Sequence, residues 1–492
     1  MTTKEQINNN VWKACDIFRG TLDSSEYKDY ILTILFIKYL SDLHKEKYEE
    51  LYKKYKGNEE RIQRALKKEK FKITPDSTFE YLLQRKEQPN LGEIINKVLS
   101  KIEENNKDKL DLIFRNIDFN SEAKLGNTKE RNVILKSILE NFEKLDLRPS
   151  KLSGRDVIGD VYEYLISRFA SDAGKKGGEF FTPSEVSELL AKLTSKDEES
   201  LKIYDPTCGS GSLLIKASKE IKDKNFRIYG QEKNGQTYAL CRMNMFLHEI
   251  ENADIKWGDT LRNPLHLEDN HLAKFDIIVA NPPFSLDKWG ADELQNDRFK
   301  RFEYGMPPKS KGDYAFVLHM IKSLNENGNM GVVLPHGVLF RGSSEAKIRK
   351  KLIENNLLDA VIGLPSNLFF GTSIPACILI FKKNRKNKDI LFIDASREFE
   401  KGKNQNKLTP ENITKIYETY KDRKEIDKYS HLASIEEIEE NDYNLNIPRY
   451  VDTFEEEEPI DINKTKENIA KIENELNQLK TKMKNYLEEL GL

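Results

Sequence analysis

Lys202-Ile203-Tyr204-Asp205-Pro206-Thr207-Cys208-Gly209-Ser210-Gly211-Ser212-Leu213-Leu214-Ile215 is the stretch whose reading decides the fold. A short strand-like run closes on an acid, Asp205, and a turn of small residues with two glycines follows. A helical pattern then opens at about Ser212. Strand, glycine loop and helix in that order open a nucleotide-type doubly wound α/β sheet, whose ligands sit beyond the strand ends. Gly209 and Gly211 let backbone N–H groups approach a ligand closely. The loop lacks the Gly-Lys-Ser/Thr ending of a triphosphate site. Taken alone, a Gly-x-Gly is a weak sign of a cofactor and reads more readily as a plain turn.

The residues downstream decide between the two readings. Phe226–Glu232 is a second strand, and Glu232 stands 21 positions after Gly211, where an acid would grip a ribose diol. A helix over Gln236–Leu247 leads to a third strand ending at Asp259, which could receive an adenine amino group. The fourth strand, Phe275–Ala280, is broken by Asn281-Pro282-Pro283-Phe284. Four successive strands therefore each end in a polar group, which points to a nucleoside-type cofactor.

The tetrapeptide has its own chemistry. Asn281 offers a side-chain carbonyl, the prolines lock the backbone, and Phe284 adds an aromatic face. Together they can accept two hydrogen bonds from a flat amine and stack on the ring that carries it. Methyl transfer to an exocyclic base amine needs this, because acceptors on both N–H bonds stabilise the charge that develops on a poorly nucleophilic nitrogen. Such a base must first leave the duplex. The alternative is a loop that only turns the chain.

Length and composition set the frame. At 492 residues the chain exceeds one core, and 33% charged against 38% apolar residues suits long exposed helices. The formal net charge of −2 is unusual for a stand-alone DNA enzyme, so basic residues gather on one face or a partner supplies the grip. Cys15, Cys208, Cys241 and Cys377 lack metal-type spacing and read as reduced thiols, with no metal site expected. The longest apolar run, Tyr30–Leu40, is too short for a membrane span, and no signal peptide is evident, so a cytoplasmic location is expected.

Residues 1–150 read as a helical domain, with a buried helix at Tyr30–Leu40. A helix carrying Tyr162, Tyr164, Leu165 and Phe169 leads through a glycine-rich basic loop to Glu179-Phe180-Phe181-Thr182-Pro183-Ser184-Glu185. Thr182 is expected to cap a helix with Pro183 at its first position and Glu185 completing a capping box. The other reading of this segment is a ligand-lining one. Leu286–Ser310 reads as a polar connection, solvated or mobile, with Phe302 and Tyr304 as candidates to touch DNA. Strands near Gly331–Pro335 and Leu358–Pro365 continue the sheet, and Ala376–Phe381 and Ile390–Asp394 are expected to complete its edge. His336 is read as structural rather than as a base. The expected division is 1–150 helical, 151–395 catalytic, 396–460 a charged helical or linker extension, and 461–492 a coiled-coil helix. Ile469, Ile472, Leu476, Leu479, Met483, Tyr486 and Leu490 form the heptad seam of that helix, too short to be stable alone.

Asp205-Pro206-x-x-Gly209-x-Gly211 followed downstream by Asn281-Pro282-Pro283-Phe284 resembles the S-adenosylmethionine-dependent DNA amino-methyltransferases, in their γ order. Nearly the whole chain is similar to the methyltransferase subunits of type I restriction–modification systems. That likeness includes Gly159–Leu165, Gly312-Asp313-Tyr314-Ala315-Phe316 and Asp442–Tyr450. The resemblance implies a Rossmann-like methyltransferase sheet and S-adenosylmethionine contacts at Glu179, Phe180, Phe181, Thr182, Pro183, Ser184, Ser210, Gly211, Ser212 and Glu232, to which the strand ends add Asp205, Gly209 and Asp259. It implies catalysis by Asn281, Pro282, Pro283 and Phe284 on the N6 amine of a flipped adenine. Asn first and Phe fourth favour adenine N6 over cytosine N4. Many members carry Ala where this chain has Cys208. Implied partners are double-stranded DNA, a specificity subunit that chooses the target and docks on the C-terminal helix, and a restriction/translocase subunit, with two copies of this chain per specificity subunit. A catalytically silent scaffold, or an amino-methyltransferase of another acceptor such as a glutamine amide, are the alternatives.

Overall fold

The computed structural model describes residues 2–18, 23–154, 156–173, 181–222, 225–453 and 462–490. Its centre is a nine-stranded sheet: β1 (Lys202–Asp205), β2 (Arg227–Glu232), β3 (Asp254–Trp257), β4 (Phe275–Ala280), β5 (Leu324–Pro335), β6 (Leu358–Gly363), β7 (Ala376–Lys382), β8 (Ile390–Asp394) and β9 (Ser430–Ala433). The spatial order is β9-β8-β6-β7-β5-β4-β1-β2-β3. β1 to β5 are mutually parallel where they pair, whereas β7 runs antiparallel to both neighbours, β5 and β6. β1 and β4 are the two strands at which the chain order reverses, and the crevice beyond their carboxyl ends is where such sheets bind ligands.

Burial explains the strand sequences. β6 is buried along its whole length, and β4 and β7 nearly so, hence their largely apolar runs, interrupted only near the strand starts by Asp276 in β4 and Asp359 in β6. Helices cover both faces. Ser184–Thr194, Ser212–Lys219 and Pro410–Asp422 close one apolar layer, while Asp313–Ser323 and Ser343–Glu354 close the other. Neither Ala376–Phe381 nor Ile390–Asp394 is the edge, since β7 lies between β5 and β6. β9 pairs antiparallel with β8, through only four residues that include His431, so its pattern is too short and too polar to read as a strand.

The N-terminal region is helical from Lys4 to Glu143, and the helix Ser24–Lys54 buries Tyr30–Leu40 completely. Capping boxes at Thr3/Gln6 and Asn127/Glu130 fix two of its helix starts. Its core continues through Val161, Leu165 and Phe169 of the helix Val157–Ala173 to Leu240 and Phe246. Tyr164 points outward, 39% exposed. The main unit runs to Val451, and residues from Asp452 form a second. Described by itself, the second unit holds one helix, Ile462–Glu489, with Ile469, Ile472, Leu476, Leu479, Met483, Tyr486 and Leu490 all exposed. Among the described residues no helix is long and apolar enough to cross a membrane.

Candidate active site

Sheet register brings the predicted groups to one rim. Asp205 pairs with Gly230 and Glu232 with Trp257, and β4 ends at Ala280 beside β1. The loop after β1 needs both glycines, with φ of +54° at Gly209 and +81° at Gly211. A Cβ at Gly211 would stand 2.7 Å from Met245 Cε and 2.8 Å from Cys241 Sγ, so the loop lies flush on the helix Gly235–Leu247.

Hydrogen bonds join the loop to the next strand. The Gly209 N–H donates to Glu232 Oε2 at 3.0 Å, and the Asn234 N–H donates to Oε1 at 2.7 Å. Burial raises the Glu232 carboxyl above its ordinary range while these N–H groups pull it down. Asp205 is buried, accepts the Thr207 N–H at 2.8 Å, and is pushed up to about 8 by that burial, with the nearby Glu232 charge adding to it. The Ser210 and Ser212 hydroxyls are buried against each other at 3.1 Å. Asp259 is pinned by Lys233 Nζ at 2.9 Å and by Arg262 at 3.1 Å. Burial works to raise its carboxyl, but these partners hold it below the usual range. Thr260 Oγ1 donates to the Pro206 carbonyl at 2.6 Å, stapling the end of β3 to the end of β1.

Around the tetrapeptide the structure departs from expectation in one informative way. Thr182 does not cap a helix. The helix begins at Ser184 with Pro183 in the cap position and no side-chain cap bond. The Thr182 hydroxyl is instead taken by Asn281, whose Nδ2 donates to Oγ1 at 3.1 Å. That leaves Asn281 Oδ1 buried and without a hydrogen-bond partner among the described residues. A buried unpaired carbonyl is costly in a folded chain, and this one stands just beyond the carboxyl end of β4. Pro282 is buried and Pro283 exposed. Phe284 is half-buried and meets Phe369 edge-on, with centroids 5.7 Å apart. Phe181 packs on Phe370 at 5.8 Å. Glu179 and Phe180 lie outside the described residues.

Two further features escape the sequence reading. Phe369 and Phe370, in the turn-rich link between β6 and β7, wall the site; adjacent aromatics among Pro365, Asn367 and Gly371 were the available signal. The segment Leu286–Ser310 is only partly solvated: it exposes residues such as Asp287, Glu293 and Lys309 but anchors itself through a small apolar core. Trp289, Ala291 and Leu294 bury against Leu261 and Phe316. Arg301, 1% exposed, pairs with Asp297 at 2.9 Å and donates to the carbonyls of Thr260 and Leu261. Phe302 packs on Trp289 at 5.5 Å, which turns a candidate DNA contact partly inward, and Tyr304 is likewise half-buried. His336 bonds the Ala376 carbonyl at 3.0 Å, and burial lowers its pKa.

The family model described as N-6 DNA Methylase matches residues 153–459, and that described as HsdM N-terminal domain matches residues 7–142. The type I restriction enzyme MpnII methylase subunit of Mycoplasma pneumoniae is 36% identical, over 98% of this chain and 96% of its own length. The MjaVIII methylase subunit of Methanocaldococcus jannaschii is 35% identical, over 99% of this chain and 85% of its own. The crystal structure of a type I restriction-modification system methyltransferase subunit from Streptococcus thermophilus is similar with a TM-score of 0.81 at 40% identity, covering 92% of this chain and 100% of that one.

Proposed function

The chain belongs to the N-6 DNA methylases, among the methylase subunits of type I restriction–modification systems, and from that premise we propose how its residues carry out adenine-N6 methylation. S-adenosylmethionine is the proposed cofactor, supplying a methyl group activated on a sulfonium. The Gly209–Ser212 turn and Asp205 would hold its amino-acid end, Glu232 its ribose diol, and Asp259 its adenine amine. Phe181, Thr182, Pro183 and Ser184 would line the same cleft, with Glu179 and Phe180 assigned by resemblance. These groups suit such a ligand: acids where cationic and diol groups need acceptors, and glycines where the backbone must come close.

Asn281 Oδ1 and the Pro282 carbonyl accept the two N–H bonds of the target amine. Phe284 stacks on the extruded adenine. As the nitrogen takes the methyl group, the donor's carbon–sulfur bond would break to leave a neutral thioether. The two oxygens would stabilise the positive charge developing on nitrogen, and the amine would then release one proton to solvent. The unpaired, buried Asn281 Oδ1 is the observation that carries this reading.

Double-stranded DNA is the proposed substrate, with target choice supplied by a specificity subunit that docks on the exposed seam of Ile462–Glu489. A restriction/translocase subunit and a second copy of this chain complete the proposed assembly, in the cytoplasm. Labour divides as 1–150 for docking or gating, 151–395 for chemistry, 396–460 as an extension, and 461–492 for subunit contact. The test is methyl transfer from labelled S-adenosylmethionine by the chain with its specificity subunit, followed by nucleoside analysis. N6-methyladenine made by the wild type and lost in Asn281→Ala, with calorimetric cofactor affinity kept, supports the reading. Methylation of another acceptor, or none, overturns it.

A further inference from the structure

Ser285, directly after Phe284, sits at φ +52°, a left-handed turn that costs any residue except glycine. Such a conformation persists only where its surroundings hold it. Two segments distant in sequence do so. Asp313, fully buried at the start of the helix Asp313–Ser323, accepts the Ser285 N–H on Oδ1 at 2.8 Å. Its Oδ2 faces Arg341 Nη2 at 2.5 Å, and Arg341 Nη1 reaches Ser285 Oγ at 3.5 Å. One residue on, the Leu286 carbonyl accepts the Gly312 N–H at 2.9 Å. The exit of the tetrapeptide is thus sewn to Gly312–Asp313 at two successive residues.

Arg341 is held mainly through its backbone: its own N–H donates to the Gly337 carbonyl at 2.9 Å and its carbonyl accepts from Arg349 Nη1 at 3.1 Å, while Nε lies 2.6 Å from Glu345 Oε2 as an ion pair without hydrogen-bond alignment. Arg349 also donates through Nε to the Tyr443 carbonyl at 2.7 Å. Of two motifs with no assigned role, Gly312–Phe316 therefore bonds the residue that follows Phe284 directly, and Asp442–Tyr450 reaches it only through Arg349 and the backbone of Arg341. Burying Asp313 and Glu345 around one guanidinium is an expensive way to pack a helix start, and apolar residues would fill the space more cheaply. Its yield is geometric: a planar fork fixes the carboxylate, and the carboxylate fixes one main-chain N–H.

We propose that Asp313 and Arg341 are positioning residues for methyl transfer, which hold the turn at Ser285 so that the ring of Phe284 stands where the extruded adenine stacks. The proposal rests on the stacking role given to Phe284 above.

Steady-state methylation by the full chain with its specificity subunit tests it, in Asp313→Asn, Arg341→Met, Arg341→Lys, Phe284→Leu and the double variants with Phe284→Leu. Asp313→Asn and Arg341→Met lower kcat by about 10- to 100-fold, the scale of a misplacement of ~1 Å. Cofactor affinity by calorimetry stays within about twofold of wild type. In the Phe284→Leu background the same substitutions cost little more, because they act through a ring that is gone. Additive losses, or an unchanged kcat with only a lower Tm, overturn the proposal. If Arg341→Met fails to fold, Arg341→Lys decides, since it keeps the charge but not the fork: an unchanged kcat there overturns the proposal, and a reduced one at full cofactor affinity supports it. Wild type that makes no N6-methyladenine removes the functional reading and this inference with it. Active wild type with fully active variants removes only the inference.

Discussion

The amide nitrogen of Asn281 donates to the hydroxyl of Thr182 at 3.1 Å, across 99 positions of sequence, and so ties the segment entering the first helix of the catalytic sheet to the end of β4. This bond anchors one end of the Asn281 amide and leaves the oxygen end facing the site. Replacing Thr182 with Val keeps the shape and removes the anchor. We expect kcat to fall about tenfold, the effect of one lost hydrogen bond of roughly 1.4 kcal/mol. Thr182→Ser retains activity, and rapid-quench methylation at saturating cofactor checks both.

Asp205 gives a pH dependence with a definite sign. Its carboxyl sits at about 8 in the folded chain because it is buried, against ~3.9 for a free side chain. Between those values the fold keeps a proton that the unfolded chain has released. The associated stability is full below pH ~4 and lost as pH rises through about 8. A cationic ligand favours the carboxylate, so cofactor binding releases the proton and tightens with rising pH. Calorimetry is expected to find up to about a tenfold gain per pH unit approaching pH 8, and a flat profile in Asp205→Asn.

Gly211→Ala is expected to destabilise the chain by at least ~1–3 kcal/mol. The φ of +81° disfavours a side chain, and the new Cβ meets Met245 and Cys241 inside 3 Å. Gly342→Ala is the control, since a Cβ there meets nothing within 4 Å. Thermal melts of the two separate local strain from a general intolerance of alanine.

Arg301→Met leaves Asp297 and two backbone carbonyls without their buried partner. Breaking a buried pair from one side costs about 3–5 kcal/mol. Denaturant titration is expected to register that loss. Proteolysis at Leu286–Ser310 is expected to speed up, since Arg301 joins this segment to the loop after β3.

The strands around the candidate site were legible because each is a short, mostly apolar run closed by an acid or an amide, as at Asp205, Glu232 and Asn281. Thr182 misleads because Thr-Pro-Ser-Glu satisfies the spelling of a capping box, and only the fold brings a competing donor to its hydroxyl. Leu286–Ser310 misleads because Trp289 spends its N–H on the Pro308 carbonyl inside the segment, while buried Arg301 reaches the Thr260 and Leu261 carbonyls that only the fold brings near. Phe369 and Phe370 reach Phe284 and Phe181 only because β7 slots between strands that precede it in the chain. No local pattern encodes a neighbour of that kind.

That slotting has a consequence for how the protein is made. During synthesis β3, β2, β1 and β4 are complete before β6 leaves the ribosome, while Leu358–Gly363, buried at every residue in the finished sheet, must wait for β7. At ~5–20 residues per second the wait is roughly one to four seconds. For that interval the nascent polypeptide carries a sticky, partnerless segment next to a half already assembled, which makes it a natural stopping point for a chaperone.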